Sequence, residues 1–215
     1  MPSTCLLTTS YLAPIHYYCK LFHYDKCFVE QHCNYVKQTY RNRCFIAAAN
    51  GIMTLSVPVE KLSEKKQQTK DVRIANHGNW QHLHWNAIIS AYNSSPFFEY
   101  YQDDFALFFE KKHTFLFDLN ESLRELIMGL LGINNEKVSY SATYLKEVIG
   151  NVDDYRETIH PKKDYKMDGC FFPVSYYQVF DVRFGFLSNL SIIDLLFNMG
   201  AESLIILRDS HKQSI

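Results

Sequence analysis

The sequence is poor in glycine, with eight in 215 residues, and it lacks the glycine-rich turns of nucleotide-binding proteins. It contains no Walker loop, no Gly-rich dinucleotide turn, no His-Glu-x-x-His motif and no Gly-x-Ser-x-Gly nucleophile turn. The metal-binding Asp-x-Asp pattern of sugar-nucleotide transferases is also absent, because the acidic pairs Asp103-Asp104 and Asp153-Asp154 are adjacent residues. We expect no tightly bound metal, and the sequence does not indicate a cofactor.

Net charge and long apolar runs are also lacking. The chain has 22 lysines and arginines against 23 acidic residues, so no global field indicates a nucleic-acid partner. No apolar run reaches the roughly 20 residues that a membrane-spanning helix needs, so we expect no transmembrane segment. The first residues lack a basic leader and an apolar core, which predicts no signal peptide and a cytoplasmic location.

The six cysteines include no Cys-x-x-Cys pair. In a cytoplasmic protein we expect them to be reduced and buried as small apolar residues. Cys44 is the candidate for a reactive thiol, because Arg41 and Arg43 lie close in sequence and nearby cations lower the pKa of a thiol.

The order of apolar segments predicts an α/β fold. Residues 5–10 and 27–31 are short apolar runs typical of buried strands, and residues 15–23 between them have apolar side chains at helical spacing. A strand–helix–strand unit of this kind predicts two adjacent parallel strands. We expect one domain over residues 1–208, with a mixed sheet that opens as a βαβ unit and is covered by helices, and then a tail at 209–215.

Helical spacing also predicts the covering layer. Helices are expected over residues 80–92 and 97–111, after Asp118 as a capping residue, and over 191–199, while residues 204–207 are predicted to be a last strand. Residues 151–169 are polar and predict a long loop or lid, a type of segment that is often functional. That segment carries a second cationic group; a plain surface loop is the alternative. The group consists of Arg156, His160, Lys162 and Lys163.

A hairpin is predicted in the first third of the chain. Asn50-Gly51 is the strongest short hairpin signal, and alternating residues up to Pro58 follow it. If residues 34–44 are extended, one strand face carries an aromatic residue and three cations, which would bind a phosphate or carboxylate. A solvent-facing strand whose charges only solubilise it is the alternative. This face is formed by Tyr35, Lys37, Thr39, Arg41 and Arg43.

Four blocks of the sequence resemble the signature of the WbqC-like protein family. They are Tyr11-Leu12-Ala13-Pro14, residues 34–44, residues 80–85 and residues 189–198, and they extend over nearly the whole chain. The family occurs in bacterial surface-polysaccharide gene clusters, and a glycine transferase role in O-antigen synthesis has been suggested for members. The resemblance implies a transferase that moves glycine or another small acyl group onto a sugar intermediate. The alternative is a non-catalytic protein that binds a sugar nucleotide or a glycan intermediate.

Acyl transfer needs a base and donors for the developing oxyanion. His84 is the candidate base, because histidine titrates near neutral pH, and Arg41 and Asn42 are the candidate donors. For His84 the alternative is packing in the core. Cations, amides and aromatic rings suited to an anion or a sugar complete the candidate site: Tyr11, Asn34, Tyr35, Lys37, Gln38, Arg43, Trp80, Trp85, Asp194 and Asn198.

Overall fold

The fold is built on two separate sheets, seen in a computed structural model that describes residues 4–61, 67–146 and 150–212. The larger sheet has four strands, all parallel; the smaller one is an antiparallel hairpin. The sequence predicted one mixed sheet, whereas the parallel and the antiparallel strand pairs lie in two separate sheets. In chain order the strands are β1 Thr4–Thr8, β2 Lys26–Glu30, β3 Arg43–Ala48, β4 Gly51–Ser56, β5 Val138–Tyr140 and β6 Val152–Asp154.

The predicted βαβ opening and the α/β class are confirmed. Helix α1, Ile15–His23, connects β1 to β2, which pair in parallel from Thr4 opposite Lys26 to Thr8 opposite Glu30. The order across the large sheet is β5, β2, β1, β6. The chain therefore leaves β1 towards β2 on one side and returns to the other side of β1 only with β6.

The hairpin is confirmed in its turn but not in its first strand. β3 and β4 pair from Arg43 opposite Ser56 to Ala48 opposite Gly51, where a φ of 105° requires glycine. Residues 34–42 are not extended, so the prediction of one alternating face was wrong. Gln38 has a φ of 61°, and the Thr39 hydroxyl donates to the Val36 carbonyl at 2.9 Å, which turns the loop back on itself.

Helices cover the sheets as predicted, with two corrections. The helix expected after Asp118 begins two residues earlier, so Asp118 lies inside its first turn, and the segment expected to be a last strand is helical. Their apolar faces form one continuous core with the strands. The helices after α1 are α2 Trp80–Tyr92, α3 Phe98–Glu110, α4 Leu116–Leu130, α5 Asp181–Phe184, α6 Ile192–Met199 and α7 Ser203–Asp209.

The segment predicted as a long loop or lid, residues 151–169, contributes β6 to the edge of the large sheet. The start of the predicted tail is packed: Ser210 is buried, and its carbonyl accepts from the Phe172 amide at 2.8 Å. Residues 213–215 of that tail lie outside the described residues. Within the described residues, no helix is long and apolar enough to cross a membrane.

Five of the six cysteines are buried, as expected, and Cys170 is half-buried. The expectation for Cys44 was wrong. Its side chain is 1% exposed, and burial raises its pKa instead of the cations lowering it. Cys44 is therefore a core residue of the hairpin.

Candidate functional site

The carboxyl edge of the parallel sheet gathers the polar residues of the chain. In open α/β sheets, ligands bind at this edge where connections from neighbouring strands diverge, and here that point lies between β1 and β6. The loop 34–42, which follows β2, reaches across to the segment after β1, where the Tyr11 amide donates to the Tyr40 carbonyl at 2.8 Å. The loop is thereby held against the segment that follows the carboxyl end of β1.

The loop 34–42 is anchored on both sides by side-chain amides. The Asn42 amide nitrogen donates to the Val57 carbonyl at 2.9 Å, and the Asn120 amide nitrogen on α4 donates to the Arg41 carbonyl at 2.8 Å. Asn42 thus uses one of its two N–H donors on the backbone, while its buried side-chain oxygen has no hydrogen-bond partner among the described residues. Asn42 is therefore placed to accept a hydrogen bond from a ligand.

Arg41 is a buried cation without a carboxylate. It is 5% exposed, and it forms no ion pair among the described residues. Its guanidinium reaches only the Thr39 hydroxyl and the Cys33 sulfur, both at 3.5 Å, and its Nε has no partner. Buried arginines are almost always paired, so this side chain is the strongest indication of a site for an anion.

Three further residues are grouped with Arg41 through their unpaired atoms or through its charge. Among the described residues, the buried Tyr35 hydroxyl and the Arg43 Nε have no hydrogen-bond partner. Burial raises the pKa of Tyr35 to about 12, while the charges of Arg41 and Arg43 act to lower it. Burial lowers the pKa of His160, and the charge of Arg41 is among the smaller contributions that lower it further. We call these four residues the arginine cluster: Tyr35, Arg41, Arg43 and His160.

The other candidates in the loop are exposed to solvent. Asn34, Lys37 and Gln38 all have exposed side chains, and Asn34 pairs through its backbone with Gln68. Of the three cations expected on one face, Arg41 is buried and Arg43 is half-buried, while Lys37 remains at the surface.

A second group of predicted residues, Tyr11, Trp80 and His84, lies together in the core. The Tyr11 hydroxyl is 2.9 Å from His84 Nδ1, and the imidazole also hydrogen-bonds the Ser56 carbonyl. Trp80 packs edge-on against the imidazole, with ring centroids 5.1 Å apart. Burial lowers the pKa of His84 to about 4. Because Nδ1 is paired with Tyr11 and the residue is 6% exposed, this geometry favours the packing alternative.

The remaining predicted residues make separate packing or hydrogen-bond contacts in the core. Trp85 stacks on Phe109 with ring centroids 5.4 Å apart. Asp194 is fully buried, and its carboxylate accepts from the Tyr92 hydroxyl at 2.9 Å and the Tyr176 hydroxyl at 2.6 Å. Asn198 donates to the Asp194 carbonyl at 2.7 Å, so this side-chain bond is made within α6.

Sequence reasoning missed an ionic cluster on α1. Lys20 and His16 contact the carboxylate of Asp168, and all three side chains are buried. A lysine and a histidine four residues apart on an otherwise apolar helix are a detectable sign of a buried polar contact. Their partner carries no such sign, because Asp168 lies in an irregular segment far along the chain.

Comparison with known proteins establishes the family of this chain. The chain is 25% identical over 224 residues to the "Uncharacterized protein Rv1507c" of Mycobacterium tuberculosis, covering 94% of this chain and 96% of that protein. No solved structure matches the chain. The family model of the WbqC-like protein family matches residues 9–159, which include Tyr35, Arg41, Arg43 and the segment from Trp80 to Trp85. The chain therefore belongs to the WbqC-like protein family.

Proposed function

We propose that this protein is a transferase of bacterial surface-polysaccharide synthesis, which moves glycine or another small acyl group onto a sugar intermediate. The observation that carries the proposal is the buried, unpaired guanidinium of Arg41 at the carboxyl edge of the sheet. Sugar intermediates and activated acyl groups commonly carry an anionic group. A positive charge fixed in a buried position would hold that group and orient the reacting end of the substrate.

In this reaction an activated acyl donor loses its leaving group as the new amide or ester bond forms. The proton of the sugar amine or hydroxyl passes to a base or to solvent. Asn42 contributes an acceptor for that amine or hydroxyl through its unpaired side-chain oxygen. Arg41 remains the candidate donor for the oxyanion, because its Nε has no partner in the protein.

A second candidate function is the non-catalytic binding of a sugar nucleotide or glycan intermediate. A specific observation favours it: the imidazoles near the loop are not free to act as bases. His84 is buried with its Nδ1 paired to the Tyr11 hydroxyl, and His160 Nδ1 accepts from the Lys162 amide at 3.1 Å. Binding alone requires only the arginine cluster.

Incubation of the purified protein with sugar nucleotides and either acyl-coenzyme A or glycine with ATP tests the two functions. Transfer is expected to add the mass of the acyl group to the sugar, as measured by mass spectrometry, and Arg41→Gln should abolish the transfer. Arg208→Gln is the matched control, because Arg208 is exposed on α7 and pairs with Asp209. Stable binding of a sugar nucleotide without any mass gain would favour the binding protein over the transferase.

A further inference from the structure

The outer edge of the hairpin lacks the features that usually keep a strand edge from pairing with another chain. We infer that β4 pairs with β4 of a second copy of this protein, antiparallel about a two-fold axis, so that a homodimer shares one four-stranded sheet. The inference is independent of the proposed function, since such an interface can be measured without any substrate. Three observations support it: the direction of the backbone groups of β4, the absence of charge around them and an apolar groove beside them.

The backbone groups of β4 alternate between β3 and the outer edge. On β3, the Phe45 carbonyl accepts from the Ser191 amide at 2.8 Å, so the backbone groups of Phe45 point away from β4. Phe45 lies opposite Thr54. In an antiparallel pair, two opposite residues either bond each other or both turn outward, and the pattern repeats every second residue. The N–H and C=O groups of Thr54 and Ile52 therefore point outward from the hairpin.

These outward groups have no partner within the chain. Among the residues that the structure describes, none forms a hydrogen bond with the backbone N–H or C=O of Ile52 or Thr54. Ile52 is 57% exposed, and the Thr54 side chain is exposed as well. An open strand edge of this kind is a template for pairing with a strand of another chain.

Charge is missing from the surface around this edge. Natural strand edges are usually protected by lysine, proline or a bulge, and β4 contains none of these. Residues 44–59 and residues 80–98, which include α2, contain no Asp, Glu, Lys or Arg, although the chain has 22 lysines and arginines and 23 acidic residues. Arg183 contacts the hairpin at its turn, where it donates to the Ala49 carbonyl, beyond the end of β4. An uncharged surface is typical of the centre of an interface, and two copies of it meet without repulsion.

A groove beside β4 extends this uncharged surface. It lies between the hairpin and α2 and has a volume of about 270 Å³. Met53, on the groove side of β4, is 41% exposed, and Leu83 on α2 is 61% exposed. Leu83 lies on the same face of α2 as Ala87 and Ser90, which follow it at helical spacing. A second copy on this side would remove these apolar side chains from water. The residues that line the groove include Ala48, Asn50 and Met53 of the hairpin and Asn86, Ala87 and Ser90 of α2.

The positions of the outward groups determine the register of the pair. When Ile52 lies opposite Thr54 of the other copy, the N–H and C=O of each residue bond the C=O and N–H of its opposite residue. Met53 then lies on the two-fold axis and faces Met53 of the other copy. Its own backbone groups point to β3, so this is a non-hydrogen-bonded position, where the two Cα atoms are about 4.5 Å apart. The two methionine side chains would pack against each other beside the groove.

Analytical ultracentrifugation of the full chain measures the oligomeric state, and a reversible dimer is expected. Met53→Lys places two like charges opposite each other at the axis, so it should weaken the dimer by roughly tenfold or more. Ile205→Lys is the matched control, because Ile205 is 48% exposed on α7 and gains the same charge away from the edge. Salt at about 1 M should restore part of the affinity of Met53→Lys, since it screens the charges, whereas it would not restore a misfolded protein.

Hydrogen exchange distinguishes pairing at this edge from dimerisation through another surface. The Ile52 and Thr54 amides are expected to exchange slowly in the wild-type dimer and fast in Met53→Lys. The Leu55 amide points towards β3, where Leu55 lies opposite Cys44, and it should exchange slowly in both proteins. Slow exchange of the Leu55 amide in Met53→Lys would show that the variant keeps the hairpin.

Oxidative cross-linking tests the register. Cysteines that face each other across the axis lie at a distance that a disulfide can span, so Met53→Cys should link two copies efficiently. Ile52→Cys should link them much less, because Ile52 faces Thr54 and not itself, and the wild type controls for the native cysteines. Stronger linkage through Ile52→Cys would overturn this register.

Three other outcomes would overturn the inference. A wild-type protein that stays monomeric up to its highest soluble concentration would leave the edge of β4 to a different partner. Equal weakening of the dimer by Met53→Lys and Ile205→Lys would remove the special role of Met53. Fast exchange of the Ile52 and Thr54 amides in a wild-type dimer would place the interface elsewhere.

Discussion

Lys20 and His16 share one carboxylate oxygen of Asp168. Lys20 Nζ lies 2.6 Å and His16 Nε2 lies 2.7 Å from Asp168 Oδ2, and Lys20 is completely buried. The ammonium also lies 4.4 Å from the centre of the Tyr155 ring. One carboxylate therefore compensates a fully buried cation and joins the segment after β6 to the helix after β1.

Asp168→Asn is expected to lower the free energy of unfolding by about 3–5 kcal/mol, because removing one partner of a buried pair leaves the other charge uncompensated. Urea unfolding of the wild type and the variant measures the difference. Asp103→Asn is the matched control, since Asp103 is exposed on α3 and its change should stay within about 0.5 kcal/mol. Equal losses in the two variants would contradict a special role for Asp168.

The same carboxylate makes stability depend on pH. Burial opposes the ionisation of Asp168, but the hydrogen bond from His16 and the charge of Lys20 outweigh it and hold its pKa well below the usual range. The stabilisation is thus present above the unfolded pKa of about 3.9 and is lost as the pH falls below it. As the pH is lowered from 5 to 3, the urea midpoint should fall more steeply for the wild type than for Asp168→Asn. Parallel curves for the two proteins would contradict this linkage.

His84 adds a second acid-sensitive contribution. Burial lowers its pKa to about 4 from an ordinary value of 6.5, so between these values the unfolded chain binds a proton that the folded chain does not. Stability should therefore fall as the pH drops from 6.5 to 4, and the imidazole should titrate near 4 by NMR. Titration near 6.5 would contradict the packed arrangement, and a loss of turnover in His84→Gln with unchanged stability would support a base.

Substitutions of Asp194 and of Asn198 should lower the free energy of unfolding by different amounts. Asp194→Ala leaves the Tyr92 and Tyr176 hydroxyls without their acceptor and removes one of the acceptors of the Gln178 amide, so we expect a loss of at least about 3 kcal/mol. Asn198→Ala removes one hydrogen bond and should cost about 1 kcal/mol. Chemical denaturation measures both. Equal losses, or a loss of acyl transfer in folded Asn198→Ala, would contradict a structural role for the pair.

The features that the sequence predicted correctly are those determined by residues close together in the chain. The βαβ opening follows from apolar spacing within residues 5–31, and the hairpin turn follows from Asn50-Gly51, because both signals act between near neighbours. The loop 34–42 does not follow a local rule. Gln38 adopts a φ of 61°, which non-glycine residues seldom do, and that single conformation ends the alternation of side chains.

The candidate site was predictable in its residue types but not in its arrangement. Arg41, Arg43 and Tyr35 were expected together on an extended face, but the loop that carries Tyr35 and Arg41 is folded instead. Asp168 meets His16 and Lys20 only through tertiary structure. The hydrogen bond between His16 and Asp168 spans 152 positions in the sequence, a separation at which periodicity and capping carry no information.

Two glycines in the helical layer should respond to alanine in opposite directions. Gly129 lies inside α4, and a Cβ there would meet no atom within 4 Å, so Gly129→Ala should stabilise by up to about 1 kcal/mol. Gly200 ends α6 with a φ of 54°, and a Cβ there would lie 2.6 Å from the Phe97 ring. Gly200→Ala should destabilise by about 1–3 kcal/mol, because backbone strain and a steric clash act together. Thermal unfolding of the two variants measures the difference, and a shift of the same sign in both would contradict the close contact between Gly200 and Phe97.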